Sequence, residues 1–254
     1  RTKGEEVAVA VLADWQLAKV TPDYNSSVCE ERIQKFAEKV VHLTNIQREN
    51  HPVKKLHVWA LGDIVEGELI FPGQSFLIDG GLYRQVTVDG PRIMATFLRT
   101  MLENFDSVHV SGVIGNHGAI GGRARKDHDP ETNADRMLYR IISLMFESEP
   151  RITFDIPDGH GERNWYTIDK IGKYSCLLCH GDQFRSFGSF YPFQKKIYGW
   201  KVGAVTEEFQ DVFCGHWHTP TKMTFNTVQC RVAGSPESTN TYAMESLAAI
   251  GRPS

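Results

Sequence analysis

The sequence predicts a mixed α/β fold with two facing sheets, and three observations carry that expectation. The first half alternates short β-branched runs with helical periodicity, the pattern of parallel strands joined by crossover helices. The second half is a series of strand-length segments separated by glycine-containing turns. The composition is that of a packed chain: 254 residues, 41% hydrophobic and 23% charged, too apolar for a disordered polypeptide.

The elements follow in order. Val7–Leu12 is a short apolar run flanked by polar residues, as expected of a buried parallel strand. Ser27-Val28-Cys29-Glu30 has the form of a capping box, and Ile33, Phe36, Ala37, Val40, Leu43 and Gln47 follow at helical spacing. Leu56–Leu61 predicts a second buried strand ending at Gly62-Asp63. Residues 66–89 carry no readable pattern. Asp89-Gly90-Pro91 is a helix start signal, with Ile93, Met94, Phe97, Leu98, Met101, Leu102 and Phe105 as the apolar stripe behind it. Val108–Ile114 predicts a third strand ending at Gly115-Asn116-His117-Gly118, and a helix is expected over about residues 131–147. Further on, Ile152–Ile156, Trp165–Ile168, Tyr174–Cys179, Asp211–Cys214, Lys222–Phe225 and Val228–Val232 all read as strands, with a helical or irregular insert over Tyr191–Glu208. No repeat, low-complexity tract or Pro/Gly/Ser linker divides the chain, so residues 1–254 are expected to form a single domain.

Several function classes are disfavoured. No apolar run reaches the roughly 18–20 residues of a membrane span, so no membrane partner is expected. The formal net charge of −3 argues against a globally basic nucleic-acid coat and leaves a local basic groove open. Residues 1–6 show no signal-peptide core, and five cysteines form an odd set without repeated spacing. Reduced thiols and a cytoplasmic location are the expectation. Cys176 and Cys179 have redox-motif spacing but lie inside an apolar strand, where packing is the better account. His42, His51, His57, His109, His128 and His160 belong to no motif and are unassigned.

The informative residues stand just past the strand ends. Asp14 follows the first strand, Asp63 the second and Asn116-His117 the third; His180 and His216-Trp217-His218 follow two strands of the second half. A single Asp there is more often a turn residue or helix cap. Five strand ends that all deliver oxygen or imidazole donors are harder to dismiss, because ligands of open α/β sheets bind beyond the carboxyl ends of the strands. Carboxylates and histidines without thiolates suit Mn²⁺, Fe, Zn²⁺ or Mg²⁺.

Taken in order, Asp14-Trp15-Gln16, Gly62-Asp63, Gly115-Asn116-His117, His180-Gly181-Asp182 and Gly215-His216-Trp217-His218 resemble the five motifs of the calcineurin-like metallophosphoesterases. The resemblance extends from about residue 7 to residue 236 and includes the turn Gly234-Ser235-Pro236-Glu237. It is of the phage and bacterial type, and more distantly similar to the nuclease subunit of double-strand-break repair. It implies a four-layer αββα sandwich of two mixed sheets flanked by helices, with two divalent metal ions at one sheet edge. Relatives often continue past the point matching Ser254, so a missing C-terminal segment is compatible with it. Carried over, it implies one cation held by Asp14, Gln16, Asp63 and His218 and another by Asp63, Asn116, His180 and His216. Asp63 would bridge, a bridging hydroxide would attack phosphorus in line, and His117 would serve the leaving group as acid.

Two departures from the family pattern matter. The first motif usually reads Asp-x-His, and Gln16 replaces the imidazole by an amide, which predicts a weaker first site leaning to Mn²⁺ or Mg²⁺. The third motif usually continues with an acidic residue that orients the His; Gly118 cannot do so, leaving His117 without an orienter.

For the substrate, Arg123, Arg125, Lys126 and Arg185 are candidate phosphate contacts. The stretch 185–201 interleaves cations and aromatics, which suits either a nucleic-acid strand or a solvated helix with its rings turned inward. The expectation is a phosphodiesterase or nuclease acting on DNA, RNA or a nucleotide. A phosphomonoesterase is the alternative, and a metal-poor protein-binding scaffold of the same fold is the alternative of another class. Oligomeric state is not readable.

Overall fold

A computed structural model describes residues 4–121, 128–185, 189–238 and 253–254. Strands β1 (Glu6–Leu12), β2 (Val53–Ala60), β3 (Ser107–Gly112) and β4 (Ile152–Asp155) form one sheet in the order β1-β2-β3-β4, and every pairing is parallel. Parallel neighbours need long crossovers. Helices α1 (Ser26–Arg48), α2 (Leu82–Arg84), α3 (Gly90–Asn104) and α4 (Ala134–Met145) lie in them. The second sheet comprises β5 (Tyr166–Ile171), β6 (Tyr174–Cys179), β7 (Asp211–Cys214), β8 (Thr221–Phe225) and β9 (Val228–Val232) in the order β5-β6-β7-β9-β8. Its centre is parallel and both edges are antiparallel, so this sheet is mixed whereas the first is wholly parallel. Helix α5 (Tyr191–Gly199) continues into a π-turn over Trp200–Ala204.

Alternation along the strands separates three apolar layers. Leu56, Val58 and Ala60 of β2 pack with Ile33 of α1 and with Ile93 and Phe97 of α3. Trp59 of the same strand turns the other way, with Leu61 beyond it, to meet Cys176 and Leu178 of β6 between the sheets. Leu177, Cys179 and Val212 face outward against Phe193 and Ile197 of α5. Helices, sheet, sheet and helix thus stack as four layers. All five cysteines are buried free thiols, and Cys176 and Cys179 sit on opposite faces of β6 as packing residues.

Two helix starts differ from the expected ones. Asn25, not Ser27, caps α1: it is extended, and its side chain accepts from the Val28 N–H at 3.0 Å. That oxygen reaches the third helical amide, which satisfies an orphan donor from two residues further back. Asp89 caps nothing. The chain is already helical from Leu82 and passes through a π-turn over Gln85–Asp89, where the missing N–H of Pro91 is tolerated. Asp89 pairs instead with Arg84 at 2.6 Å and Arg92 at 3.3 Å. Among the described residues no helix is long and apolar enough to cross a membrane.

Candidate metal centre

Register brings the motif residues to one edge. Leu12 pairs with Ala60 and Ala60 with Gly112, so the loops carrying Asp14, Asp63 and Asn116 leave the first sheet side by side. Backbone bonds then lock them, from Asp14 N to Gly62 O at 3.1 Å and from Gln16 N to Asp63 O at 3.0 Å. In the second sheet Gly215 N donates to His180 O at 2.7 Å, holding the last two motifs together. The approach is tight: a Cβ on Gly115 would overlap Asp63 Oδ1, and one on Gly215 would overlap Asp14 Oδ2. Asp14, Gln16, Asp63, His216 and His218 all take positive φ, between 49° and 69°. L-residues avoid this region, and its cost is tolerated where surroundings over-determine a site.

The side chains converge. His180 is buried, and its Nδ1 meets Leu61 O at 2.8 Å, which assigns the proton there and turns the Nε2 lone pair inward. That Nε2 lies 3.0 Å from Asn116 Oδ1, 3.1 Å from Asp63 Oδ2 and 3.2 Å from His216 Nδ1. One nitrogen cannot donate to three acceptors. Tetrahedral ligands at roughly 2.0–2.1 Å from a cation stand about 3.3 Å apart, close to these separations. Beside this set, His218 Nε2 lies 3.3 Å from Asp14 Oδ1, and its Nδ1 is 3.0 Å from Glu237 Oε2. Gln16 Nε2 contacts Asp63 Oδ2 at 3.3 Å, while Gln16 Oε1 is buried with no hydrogen-bond partner among the described residues. An orphaned carbonyl oxygen next to a carboxylate is a ligand atom in waiting, so the donor set fits a pair of divalent cations.

The electrostatics agree. Burial alone would raise the Asp63 carboxyl, but the imidazoles of His180, His117 and His216 outweigh it and hold it far below the usual carboxylate range. Burial would lower His180, and Asp63 and Asp14 override it to push its pKa up to about 10. His218 is likewise raised to about 10 against its burial by Asp14 and Glu237. His216 goes the other way, to about 4, through burial and the neighbouring His180. Without a metal, protons on His180 and His218 offset the charge of Asp63 and Asp14.

No family profile matches the sequence, and no curated protein does. Solved structures of related shape include the hypothetical protein PH1004 from Pyrococcus horikoshii OT3 (15% identity, 92% of this chain and 79% of that one, TM-score 0.45). Another is a novel archaeal phosphodiesterase (11% identity, 91% and 84% covered, TM-score 0.38). A third is Vps29 from Entamoeba histolytica complexed with zinc (12% identity, 90% and 74% covered, TM-score 0.35). At such values the likeness is one of outline only, and the motifs carry the comparison further. In fold and motif order the chain resembles the calcineurin-like metallophosphoesterases.

Three buried acids absent from the five motifs surround these residues. Glu66 supplies what Gly118 cannot: His117 Nδ1 lies 2.9 Å from Glu66 O and 3.3 Å from Glu66 Oε2. Burial would lower His117, but Asp63 and Glu66 together raise it to about 9. Asp135, at the start of α4, accepts from Asp63 N, Ile64 N, Val65 N and Gly115 N at 2.9–3.2 Å and clamps two motif loops onto one carboxylate. Glu237 pairs with His218 and with Lys19 at 2.9 Å, and the neighbouring Ser235 Oγ donates to Asp14 O at 2.7 Å. The same turn reaches the segment before the first helix, with Thr21 Oγ1 donating to Ser238 O at 2.8 Å, and the helix itself, with Arg32 donating to Ser238 Oγ at 2.9 Å. Of the three, only Glu237 had a sequence signal, the turn after the last motif.

The candidate phosphate contacts are less defined. Arg123, Arg125 and Lys126 lie outside the described residues, and Arg185 is exposed on the loop after β6. Beside Asn116 opens a cleft of about 450 Å³ bordered by Asn133, Asn164, Trp165, Asp182 and Gln183.

Proposed function

We propose that this chain is a metal-dependent phosphoesterase that hydrolyses phosphodiesters of a nucleotide or nucleic acid. The observation that carries the reading is the meeting of Asp63, Asn116 and His216 around His180 Nε2, joined through Asp63 to Gln16 and, across the same edge, to the Asp14–His218 pair. Asp14, Gln16, Asp63 and His218 would hold one divalent cation, and Asp63, Asn116, His180 and His216 the other. When bound, such a pair supplies Lewis-acid activation of water and of phosphoryl oxygens.

The remaining work belongs to the chain. Asp63 Oδ1 accepts from His117 N at 2.8 Å, which fixes the carboxylate and leaves Oδ2 facing His180 and Gln16. The hard, neutral oxygen of Gln16 favours Mn²⁺ or Mg²⁺. With Nδ1 held by Glu66 O, the Nε2 of His117 is the atom placed to hand a proton to the departing alkoxide. The described residues lining the cleft include Asn116, Asn133, Asn164 and Gln183, which can donate to phosphate oxygens. Trp165 offers a flat ring on which a base can stack. Arg123, Arg125, Lys126 and Arg185 are the cations we assign to flanking phosphates.

The test is Mn²⁺-dependent hydrolysis of bis-p-nitrophenyl phosphate at neutral pH, beside Asp63→Asn and His180→Ala. Both variants should lose well over tenfold in rate, more than about 1.4 kcal/mol in the barrier. A variant that keeps more than a tenth of the rate overturns the shared-carboxylate assignment. Wild-type protein that neither turns over nor binds metal would support the protein-binding scaffold instead.

A further inference from the structure

A second cluster of metal-type donors lies away from the motif loops. His57 on β2 and His109 on β3 are register partners in adjacent parallel strands, so their side chains share a face, and that face looks into the layer between the sheets. Across the layer stands Asp169 of β5, 3% exposed. His57 Nδ1 lies 2.7 Å from Asp169 Oδ2, and His109 Nε2 lies 3.8 Å from Asp169 Oδ1. The two imidazole rings are 5.1 Å apart. One donor atom from each residue falls within 4.8 Å of the others, which makes this one of two such groups among the described residues. The other is the Asp63–His180–His216 set already described.

We propose that His57, His109 and Asp169 form a separate, mononuclear site for a borderline divalent cation of the zinc type, one that ties the first sheet to the second. Outer contacts already orient the ligands in the way metal sites require. Trp59 Nε1 hydrogen-bonds Asp169 Oδ2, and His109 Nδ1 meets Thr153 Oγ1 at 2.8 Å, which leaves Nε2 as the atom aimed at the carboxylate. The 3.8 Å gap there is too long for a hydrogen bond, whereas a cation with bonds of about 2.0–2.2 Å to both atoms spans it. His57 and His109 are part-exposed, at 14% and 30% of their side-chain surface, so a water can complete the coordination from outside. A hydrogen-bond network alone accounts for His57 and Trp59 on Asp169 and for His109 on Thr153, but not for the approach of His109 Nε2 to Asp169.

The site is distinct from the catalytic one. Within β2, about 10 Å of extended chain separates His57 from Ala60 at ~3.3 Å per residue, and Asp63 lies three residues further on. The inference therefore does not rest on the phosphoesterase reading.

Zn²⁺ binding to the whole chain, read by equilibrium dialysis and by melting temperature, tests it. In an Asp63→Asn/His180→Ala/His218→Ala background, one Zn²⁺ equivalent should remain, accompanied by a rise in melting temperature. Adding His57→Gln and His109→Gln should remove both. His109→Gln alone, at a part-exposed position, should weaken that equivalent at least tenfold should the multiple variant fail to fold. In the otherwise wild-type chain, the two His→Gln changes should lower Zn²⁺ content by one equivalent while leaving diester turnover unchanged. A background that binds no Zn²⁺, or a content unaffected by the His57 and His109 changes, overturns the proposal.

Discussion

His117 and Glu66 show how a site can rebuild a lost partner from another loop. Gly118 leaves no carboxylate beside the imidazole, and Glu66, three residues past Asp63, brings a carboxylate to 3.3 Å while its backbone carbonyl accepts the hydrogen bond at 2.9 Å. If His117 is the acid and Glu66 its positioning residue, Glu66→Gln should slow cleavage of alkyl phosphodiesters about tenfold, roughly 1.4 kcal/mol. It should barely affect p-nitrophenyl esters, whose leaving group needs little protonation; equal losses across a leaving-group series would contradict the assignment. Gln16 is the converse, proposed as a ligand weaker than the usual imidazole. Gln16→His should tighten Mn²⁺ or Zn²⁺ at the first site by about tenfold in a calorimetric titration, and an unchanged isotherm would remove Gln16 from the ligand set. Both roles concern residue types, yet only the second was legible in the sequence. A substitution inside a motif is visible by its position, whereas a partner from an unpatterned loop needs the fold to bring it near.

At the level of elements, strand cores were readable to within a few residues, and β6, β7 and β9 run over the expected ranges, because each is a short apolar run closed by glycine or polar residues. Helix starts were not, because Asn25 and Ser27 are both good caps and the choice depends on where Asp79 sits: it accepts from Ser26 N and Ser26 Oγ. The same limit hid Asp135, which looks like an ordinary first-turn acid of α4. Its carboxylate instead satisfies four amides from two motif loops. Orphaning buried donors costs about 1–3 kcal/mol each before relaxation. Asp135→Ala should therefore destabilise the chain by about 3–5 kcal/mol in urea denaturation, at the upper end for single substitutions. It should also abolish tight Mn²⁺ binding, since Asp63 and Gly115 would lose their common anchor.

For the molecule as a whole, the front-half alternation and back-half strands announced two sheets, but no local pattern could say that β9 inserts between β7 and β8 or that Asp169 faces His57. Those pairings depend on the contacts of the whole chain. The sheets meet through a thin apolar layer, while carboxylates crowd one end of it: Asp14, Asp63, Glu66, Asp135 and Glu237 are all buried near one another. Divalent cations bound there should stabilise the fold by linkage, about 2.7 kcal/mol at a hundredfold excess over Kd. For a chain of this length that corresponds to a rise in melting temperature of roughly 5–10 °C, reversed by EDTA. A melting curve indifferent to Mn²⁺ and EDTA would argue against cation binding by the folded state.

The turn at Ser235–Ser238 sets a timetable. It braces Asp14, His218 and the first helix, yet it is made long after Asp14 and that helix are. On the ribosome Asp14, Asp63 and Asn116 emerge with the first sheet, while His216 and His218 arrive after β7 and Glu237 only after β9. A half-made chain thus holds several ligands but neither complete set, and nascent chains stalled before β7 are expected to retain no Mn²⁺. On the proposed reading, metal binding is then withheld until His216 and His218 have joined the residues of the first sheet.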